Sequence, residues 1–169
     1  MVMALPKLAD LLLAGKRRAL HLEMRDTYAR TARFDAWKAG STEGRAEADA
    51  EWRALLAPLK EHEADIRRLR IISEPITEYV RYEYEVTPLA NLAAGETVRW
   101  LPRDQASDLR LPGNDFWLVD DVLLFNLSGG DGEWLGVQPN DDPDVIAFCA
   151  ESFETAWARA VDHSNYRPA

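Results

Sequence analysis

The chain has 169 residues, 47% of them hydrophobic, and a net charge of −9. This length and apolar fraction fit one folded domain, residues 1–169, and exclude a largely disordered chain. The single cysteine, Cys149, excludes an internal disulfide framework and a zinc site built from several thiolates. No apolar run approaches the roughly 18 residues that span a membrane. The leucines at 11–13 also precede the basic residues 16–18, which is the wrong order for a signal peptide. We therefore expect a cytoplasmic protein without a membrane partner.

The charge is unevenly distributed along the chain. Residues 1–103 carry 17 Lys and Arg against 16 Asp and Glu, whereas residues 104–169 carry three Arg against 13 Asp and Glu, a net charge of −10. An acidic C-terminal part repels phosphate backbones, so we expect no direct contact with nucleic acid. The simplest interpretation of this charge is solubility. The alternative is an acidic surface that docks a basic partner, such as a DNA-binding protein.

The first elements combine one strand with two helices. Residues 19–25 alternate apolar and polar side chains, which predicts a half-buried strand. Residues 31–38 predict a short helix. The Ala-rich residues 43–63 place apolar side chains at helical spacing and predict an amphipathic helix, which Pro58 should kink or split.

The middle of the chain alternates strands and a helix. Residues 67–73 predict a second strand. Ser73 should cap the next helix, with Pro75 in its first turn, and that helix should stop at Gly95. Residues 97–101 predict a third strand.

The last third predicts a hairpin, one more strand and a final helix. Residues 115–119 and 122–127 form the hairpin, residues 133–138 return as a strand, and residues 142–162 form a helix with one apolar face. Strands separated by long helices imply parallel pairing through right-handed crossovers. We therefore expect a single α/β domain with a mixed, mostly parallel sheet, a C-terminal hairpin and flanking helices.

Candidate site residues concentrate where the predicted strands end. Ser73 follows the carboxyl end of the second strand and Arg103 that of the third, and ligands of α/β sheets bind outside such ends. Arg side chains beside flat aromatic rings can hold an anionic or planar small molecule. The candidates for binding a ligand or partner are Arg70, Ser73, Tyr79, Arg81, Arg99, Trp100, Arg103, Asp115 and Trp117. In the alternative interpretation the charged members of this set pair structurally and the tryptophans pack in the core.

Catalytic and metal-binding sets are incomplete in this sequence. His21 alternates with leucines on the first strand, next but one to Glu23, and a His–carboxylate pair can do acid–base work. The simpler interpretation of His21 is a residue on the polar face of a strand. The adjacent Asp120 and Asp121 fit a hairpin turn better than a metal site, because neighbours on a strand point to opposite faces. We expect no metal and no cofactor.

Three motifs carry a resemblance to a family. They are S-E-P-I-T-E-Y-V-R at residues 73–81, G-E-T-V-R-W-L-P-R at residues 95–103 and L-P-G-N-D-F-W-L-V-D at residues 111–120. With them the chain resembles an uncharacterised actinobacterial family, of unknown function, whose members are typically encoded beside helix-turn-helix regulators. The resemblance covers nearly the whole chain. It implies a helix-turn-helix regulatory protein as a possible partner and assigns no activity.

A more distant resemblance is to the effector domains of bacterial regulators built like half of a phospholipase D. It rests on the strand V-R-W-L at residues 98–101, an Asp at the hairpin tip and F-E-T-A-W-A-R-A at residues 153–160. The catalytic motif H-x-K-x-x-x-x-D supplies a His nucleophile, a phosphate-binding Lys and an Asp that orients the His. With Asp120 as the Asp, Gly113 and Asp115 occupy the His and Lys positions. With Asp121 as the Asp, Asn114 and Phe116 occupy those positions. Neither alignment supplies the His and the Lys, so we expect no phosphodiesterase activity.

These observations predict a non-catalytic accessory or effector-like protein of bacterial regulation. It would bind a helix-turn-helix regulator, a small ligand or both at a strand-end cleft. The alternative is an enzyme of unassigned class that uses Arg103, Asp115 and His21. A His–carboxylate pair within hydrogen-bond reach in a cleft would favour the enzyme. The oligomeric state does not follow from the sequence.

Overall fold

The computed structural model describes residues 7–169, so the first six residues of the expected 1–169 unit lie outside the described part. The strands are β1 Arg18–Glu23, β2 Asp65–Ile72, β3 Thr97–Pro102, β4 Phe116–Val119, β5 Val122–Ser128, β6 Trp134–Asn140 and β7 Val161–Asp162. The helices are α1 Leu8–Ala14, α2 Ala32–Lys38, α3 Arg45–Glu61, α4 Glu78–Thr87 and α5 Pro143–Arg159, with a π-helical turn at Pro88–Leu92 and a 3₁₀ turn at Arg103–Ala106.

The strands form one mixed sheet in the order β6-β5-β4-β1-β2-β3-β7. Only β1 with β2 and β2 with β3 pair parallel, and the remaining neighbours pair antiparallel. The predicted α/β class and mixed sheet are confirmed, but the sheet is not mostly parallel. Helical crossovers connect β1 to β2 and β2 to β3, whereas β4, β5 and β6 follow one another through turns that force antiparallel pairing.

The two faces of the sheet bury different side chains. One face packs its leucines, among them Leu20 and Leu69, against α5, where Phe153 and Trp157 are buried as predicted. On the other face α1 and α3 pack around Leu56, and α4 packs near Trp100. None of the described helices is both long and apolar enough to cross a membrane.

Two local predictions are wrong for identifiable reasons. Helix α3 is not split at Pro58, which lies in its last turn and whose missing N–H leaves out one hydrogen bond, to the Ala54 carbonyl. Helix α4 begins at Glu78 with the Thr77 side chain as its cap. Ser73 does not cap it, since its hydroxyl donates to the Asp26 carboxylate at 2.7 Å.

Candidate functional site

Four polar side chains meet on the sheet face beneath α3 and α4. Residues two apart on a strand point to the same face, which brings His21 and Glu23 of β1 beside Arg68 and Arg70 of β2. The parallel register places His21 opposite Arg68, and Glu23 opposite Arg70. All four are buried. Buried charges are stable only when they are paired, so their contacts decide what this face can do.

Glu23 lies at the centre of these contacts. It accepts hydrogen bonds from Arg68 Nη1 at 2.7 Å and from Arg70 Nε at 2.6 Å. Burial acts to raise the pKa of Glu23, but the charges of Arg70, Arg68 and His21 outweigh it and hold the pKa well below its usual value. Arg68 also donates from Nε to Glu96 at 2.7 Å. The two guanidinium groups are therefore neutralised by protein carboxylates.

His21 is held on three sides. Its ring stacks on Trp117 with centroids 4.0 Å apart and planes inclined by 9°. Nδ1 lies 2.8 Å from the Phe116 carbonyl oxygen, and Nε2 lies 3.1 Å from Glu23 Oε1. Both nitrogens face acceptors, so both are satisfied only in the doubly protonated imidazolium, which has no free lone pair. The His–carboxylate pair exists, but it is buried rather than on a solvated strand face, and it is not arranged as a general base.

A cleft of about 540 Å³ opens above this network, and we call it the sheet-face cleft. Its volume lies within the range of small-molecule sites. Four aromatic side chains contribute to its walls and floor, namely Trp52, Tyr79, Tyr82 and Trp117. Burial raises the pKa of Tyr79, so its hydroxyl is neutral at ordinary pH. The cleft thus combines flat apolar surfaces with polar groups.

Two carboxylates that line the cleft have no hydrogen-bond donor within the described residues. Asp49 of α3 is 6% exposed and Glu83 of α4 is 7% exposed. The closest approach of a cation to Glu83 is 3.8 Å, from Arg70 Nε to Oε2, beyond hydrogen-bond distance. Burial is the main cause that raises the pKa of Glu83 to about 8; the charge of Arg70 opposes this rise and that of Glu23 adds to it. Glu83 therefore carries a proton at neutral pH.

A smaller pocket of about 290 Å³ lies at the carboxyl ends of the parallel strands. Arg103 and Ser73 meet there, as their strand-end positions predicted, with Arg103 Nε donating to Ser73 Oγ at 3.1 Å. The same guanidinium donates to the backbone carbonyls of Met24 and Ile71. Arg103 thus joins three strand ends, and much of its donor capacity is used by the protein itself.

Asp115 lines the same strand-end pocket. Its carboxylate accepts hydrogen bonds from the Met24 backbone N–H at 2.8 Å and from the Tyr28 hydroxyl. Burial raises the pKa of Asp115, although the bond from Tyr28 acts against it. Asp115 therefore fixes the segment after β1 in place.

Three candidates belong to neither cavity. Arg81 is exposed on α4, and its side chain has no partner within the described part of the chain. Arg99 points to the α5 face, where its guanidinium lies 4.6 Å from the Trp157 ring centroid. Trp100 is fully buried and donates from Nε1 to His163 Nδ1 at 3.1 Å. Arg99 and Trp100 are neighbours on β3, so alternation sends them to opposite faces.

The nine predicted residues therefore do not form one site. Arg70, Tyr79 and Trp117 line the sheet-face cleft, whereas Ser73, Arg103 and Asp115 lie at or beside the strand-end pocket. Trp117 was expected beside Arg103, but its position in β4 places it opposite His21 on the sheet face. Side chains alternate between the two faces of the sheet along each strand. This alternation decides which of the predicted residues share a cavity, and their closeness to a strand end does not.

Sequence reasoning missed Asp49, Arg68 and Glu83 of the sheet-face cleft, and also Glu96, which pairs with Arg68. A usable signal existed on the strands. Arg68 and Arg70 are two residues apart on β2, as are His21 and Glu23 on β1, and this spacing on adjacent parallel strands predicts a shared polar face. Within residues 7–169 no group of three or more His, Cys, Asp or Glu is arranged to hold a metal ion.

The fold and cavities define an α/β domain with a polar cleft on one face of its sheet. Residues 6–168 match the family described as a domain of unknown function, DUF6879, and the chain belongs to that family. The predicted membership in a family of unknown function is confirmed. A search of the curated proteins returned no match.

Two solved structures share the fold at low sequence identity. Nuc from Salmonella typhimurium, a phospholipase D family member, is similar with a TM-score of 0.51 and 11% identity, over 94% of this chain and 88% of that chain. TrmBL2, an archaeal chromatin protein whose structure shows a novel mode of DNA binding, has a TM-score of 0.50 and 12% identity over 90% of this chain. The match spans only 48% of the TrmBL2 chain. At these identities the likeness shows the fold alone.

Proposed function

We propose that the protein is a non-catalytic, effector-like accessory domain of cytoplasmic bacterial regulation that binds a small ligand in the sheet-face cleft. The observation that carries this proposal is a cleft of about 540 Å³ lined by two buried carboxylates, Asp49 and Glu83, that accept no hydrogen bond from the described residues. Within the described residues the fully buried side-chain N or O atom without a partner is Arg99 Nε, so the oxygens of Asp49 and Glu83 still reach the open cleft. Groups placed in this way can receive hydrogen bonds from a molecule in the cleft. A bound molecule would supply the missing partners.

The residues at the positions of the phospholipase D motif support binding over phosphodiester cleavage. At the hairpin tip, the Asp120 carboxylate accepts backbone N–H groups from Lys16 at 3.1 Å, Arg17 at 2.8 Å and Arg18 at 3.1 Å. It is therefore occupied by the start of β1. Gly113 and Asp115 supply neither a nucleophile nor a cation where the phospholipase D motif needs them.

The proposed macromolecular partner is a helix-turn-helix regulator. This part rests on the resemblance of the three sequence motifs, with support from charge. Residues 104–169 carry a net charge of −10, which complements a basic DNA-binding protein and repels DNA itself. TrmBL2 shares the fold and binds DNA, but this charge favours action through a partner here.

An enzyme of unassigned class is the second candidate. The His21–Glu23 pair at the floor of a cleft favours it, with Nε2 and Oε1 3.1 Å apart. Arg103 and Asp115, its other proposed residues, lie at the separate strand-end pocket. Catalysis by His21 would require the ring to leave Glu23 or the Phe116 carbonyl, so the binding function is preferred.

The test is recovery of small molecules with the protein from its native host. Ala48 lines the cleft, so Ala48→Trp should fill it, whereas Ala50 is exposed on the same helix and Ala50→Trp is the matched control. Mass spectrometry should find a molecule enriched with the wild type and the control but absent from Ala48→Trp. The same samples should contain a helix-turn-helix protein. Equal recovery with Ala48→Trp, or no enriched molecule, would contradict the proposed ligand site.

A further inference from the structure

We infer that the ligand of the sheet-face cleft is an organic cation: an amine or guanidinium on a flat or apolar body, with its charged nitrogen bound by Glu83 and a further acceptor supplied by Asp49. The inference rests on the proposed function, because it names the chemical class of the molecule in the same cleft. Hydrogen-bond satisfaction, charge balance and the aromatic lining each lead to this class.

The basic groups of the cleft floor are already paired with protein acceptors, except Nη2 of Arg70, which has no hydrogen-bond partner within the described residues. Arg68 donates to Glu23 and Glu96, both at 2.7 Å. Arg70 donates to Glu23 at 2.6 Å and to Thr87 Oγ1 at 2.8 Å. An anionic ligand would have to compete with carboxylates that hold these guanidinium groups in short, charge-assisted bonds. The floor is therefore poorly suited to bind an anion.

The open groups are acids. Within residues 7–169, neither Asp49 nor Glu83 accepts a hydrogen bond, although both are more than nine-tenths buried and line the cleft. They lie on different helices, α3 and α4, and line the same cleft, so the proposed molecule would contact both. A carboxylate with no donor is the natural partner of a ligand N–H group that carries positive charge.

The balance of buried charge agrees with this assignment. The cleft and its floor bury four acids against two guanidinium groups and one imidazole; these residues are Glu23, Asp49, Glu83, Glu96, Arg68, Arg70 and His21. Even with His21 doubly protonated the acids are in excess by one. Arg33 at the rim is exposed, so water screens its charge. A cationic ligand would restore neutrality in place of the proton on Glu83.

The aromatic side chains suit the body of such a ligand. Trp52 and Trp117 already receive one cation, since the Arg68 guanidinium lies 5.7 Å and 5.4 Å from their ring centroids. Tyr79 and Tyr82 of α4 also line the cleft, with ring centroids 5.7 Å apart. Aromatic faces attract cations and pack against flat groups, and this attraction adds to the carboxylate contacts.

Three phenyl compounds with short side chains test the charge class directly. They are 2-phenylethylamine, 2-phenylethanol and 3-phenylpropionate, which are cationic, neutral and anionic at pH 7. Isothermal titration calorimetry measures their affinities, which for molecules this small fall in the millimolar range. We expect the amine to bind at least about tenfold more tightly than the other two, as one charge-assisted hydrogen bond implies.

Matched variants locate the binding. Glu83→Gln retains the shape of the protonated acid but cannot ionise, so it should weaken amine binding by at least about tenfold. Asp49→Asn should weaken it less, and Ala48→Trp should abolish it. Glu151→Gln changes an exposed acid on α5, outside the cleft, and should leave the affinity for the amine unchanged. Ala50→Trp should also leave this affinity unchanged.

Proton release gives a second readout. An ammonium group that binds Glu83 should displace its proton, so at pH 7 roughly one proton leaves for each amine bound. Titrations in two buffers of different ionisation enthalpy measure this number, which should fall to zero in Glu83→Gln. The charged and titratable groups whose charges interact with Glu83 are Glu23, Tyr28, Arg68, Arg70, Tyr79, Tyr82 and Asp115.

The outcomes separate this inference from the proposed function. Tighter binding of 3-phenylpropionate, unchanged amine affinity in Glu83→Gln, or no binding of the amine would each overturn the cationic class. None of these results would affect recovery of a native ligand by the wild type and not by Ala48→Trp, which decides the proposed function without reference to charge.

Discussion

Replacing Glu83 by glutamine should stabilise the protein at neutral and alkaline pH. The pKa of Glu83 is raised from 4.5 to about 8 in the folded protein. Below pH 4.5 Glu83 is protonated in both the folded and the unfolded chain, and the contribution of the protonated side chain to stability is fully present. Between pH 4.5 and 8 the unfolded chain releases the proton while the folded chain retains it, so the free energy of unfolding falls with rising pH. Glutamine does not titrate and escapes this loss.

The size of the effect follows from linkage. Each pH unit in this interval costs about 1.4 kcal/mol, so Glu83→Gln should exceed the wild type by about 3 kcal/mol at pH 7. For a chain of this length that difference raises the melting temperature by roughly 6–12 °C. At pH 4 the two proteins should be equally stable, because both then carry an uncharged polar group at this position.

Urea unfolding of both proteins at half-unit steps from pH 4 to pH 8.5 measures the difference. The difference between the two curves cancels the contributions of groups that titrate alike in both proteins. Glu23 is one of them, because its pKa is lowered and its contribution to the free energy of unfolding is lost only at acid pH. Glu151→Gln, an exposed control on α5, should follow the wild type within about 0.5 kcal/mol throughout. A Glu83→Gln difference that stays flat across this range would refute the reasoning.

Three further substitutions test the structural roles. Trp157→Ala removes a buried ring of α5 that stacks on Phe153, and should lower the free energy of unfolding by about 3–5 kcal/mol in urea titration. Asp120→Ala removes the acceptor of three backbone N–H groups at a largely exposed turn, where water can replace it, and should lower the free energy of unfolding by about 1 kcal/mol. We expect neither the wild type nor this variant to hydrolyse a generic phosphodiester. Arg103→Ala should lower the melting temperature measurably, since it joins three strand ends, whereas Arg81→Ala on the surface should not.

Much of the fold was predictable because its strands are short, apolar and separated by clear turns. The strands predicted at residues 97–101 and 122–127 differ from β3 and β5 by one residue at one end. The strand pairing was harder to predict. Periodicity shows that a segment is a strand, but β1 could pair on its free side with any later strand, and the antiparallel contact with β4 depends on the whole sheet.

The candidate site was less predictable than the fold, for a reason visible in β2. Arg68 and Arg70 read as the polar side of a half-exposed strand, yet both are buried. Their burial depends on Glu23 and Glu96, which come from distant segments and neutralise them only in the folded chain. A single sequence shows charged residues but not which of them find partners, and unpartnered groups such as Glu83 are what identify the cleft.

The two cavities differ in how much of their polar capacity the protein itself uses. At the strand ends, where the phospholipase D motif would place its His and Lys, Gly113 and Asp115 stand instead, and Arg103 is bound to backbone carbonyls. Those bonds stabilise the junction of the strands and leave few groups for a substrate. On the sheet face Arg68 and Arg70 are paired with carboxylates, whereas Asp49 and Glu83 accept no hydrogen bond from the described residues. A shared fold therefore does not determine where a protein binds its ligand. In this chain the carboxylates of Asp49 and Glu83, which accept no hydrogen bond from the described residues, favour the sheet face as the binding surface.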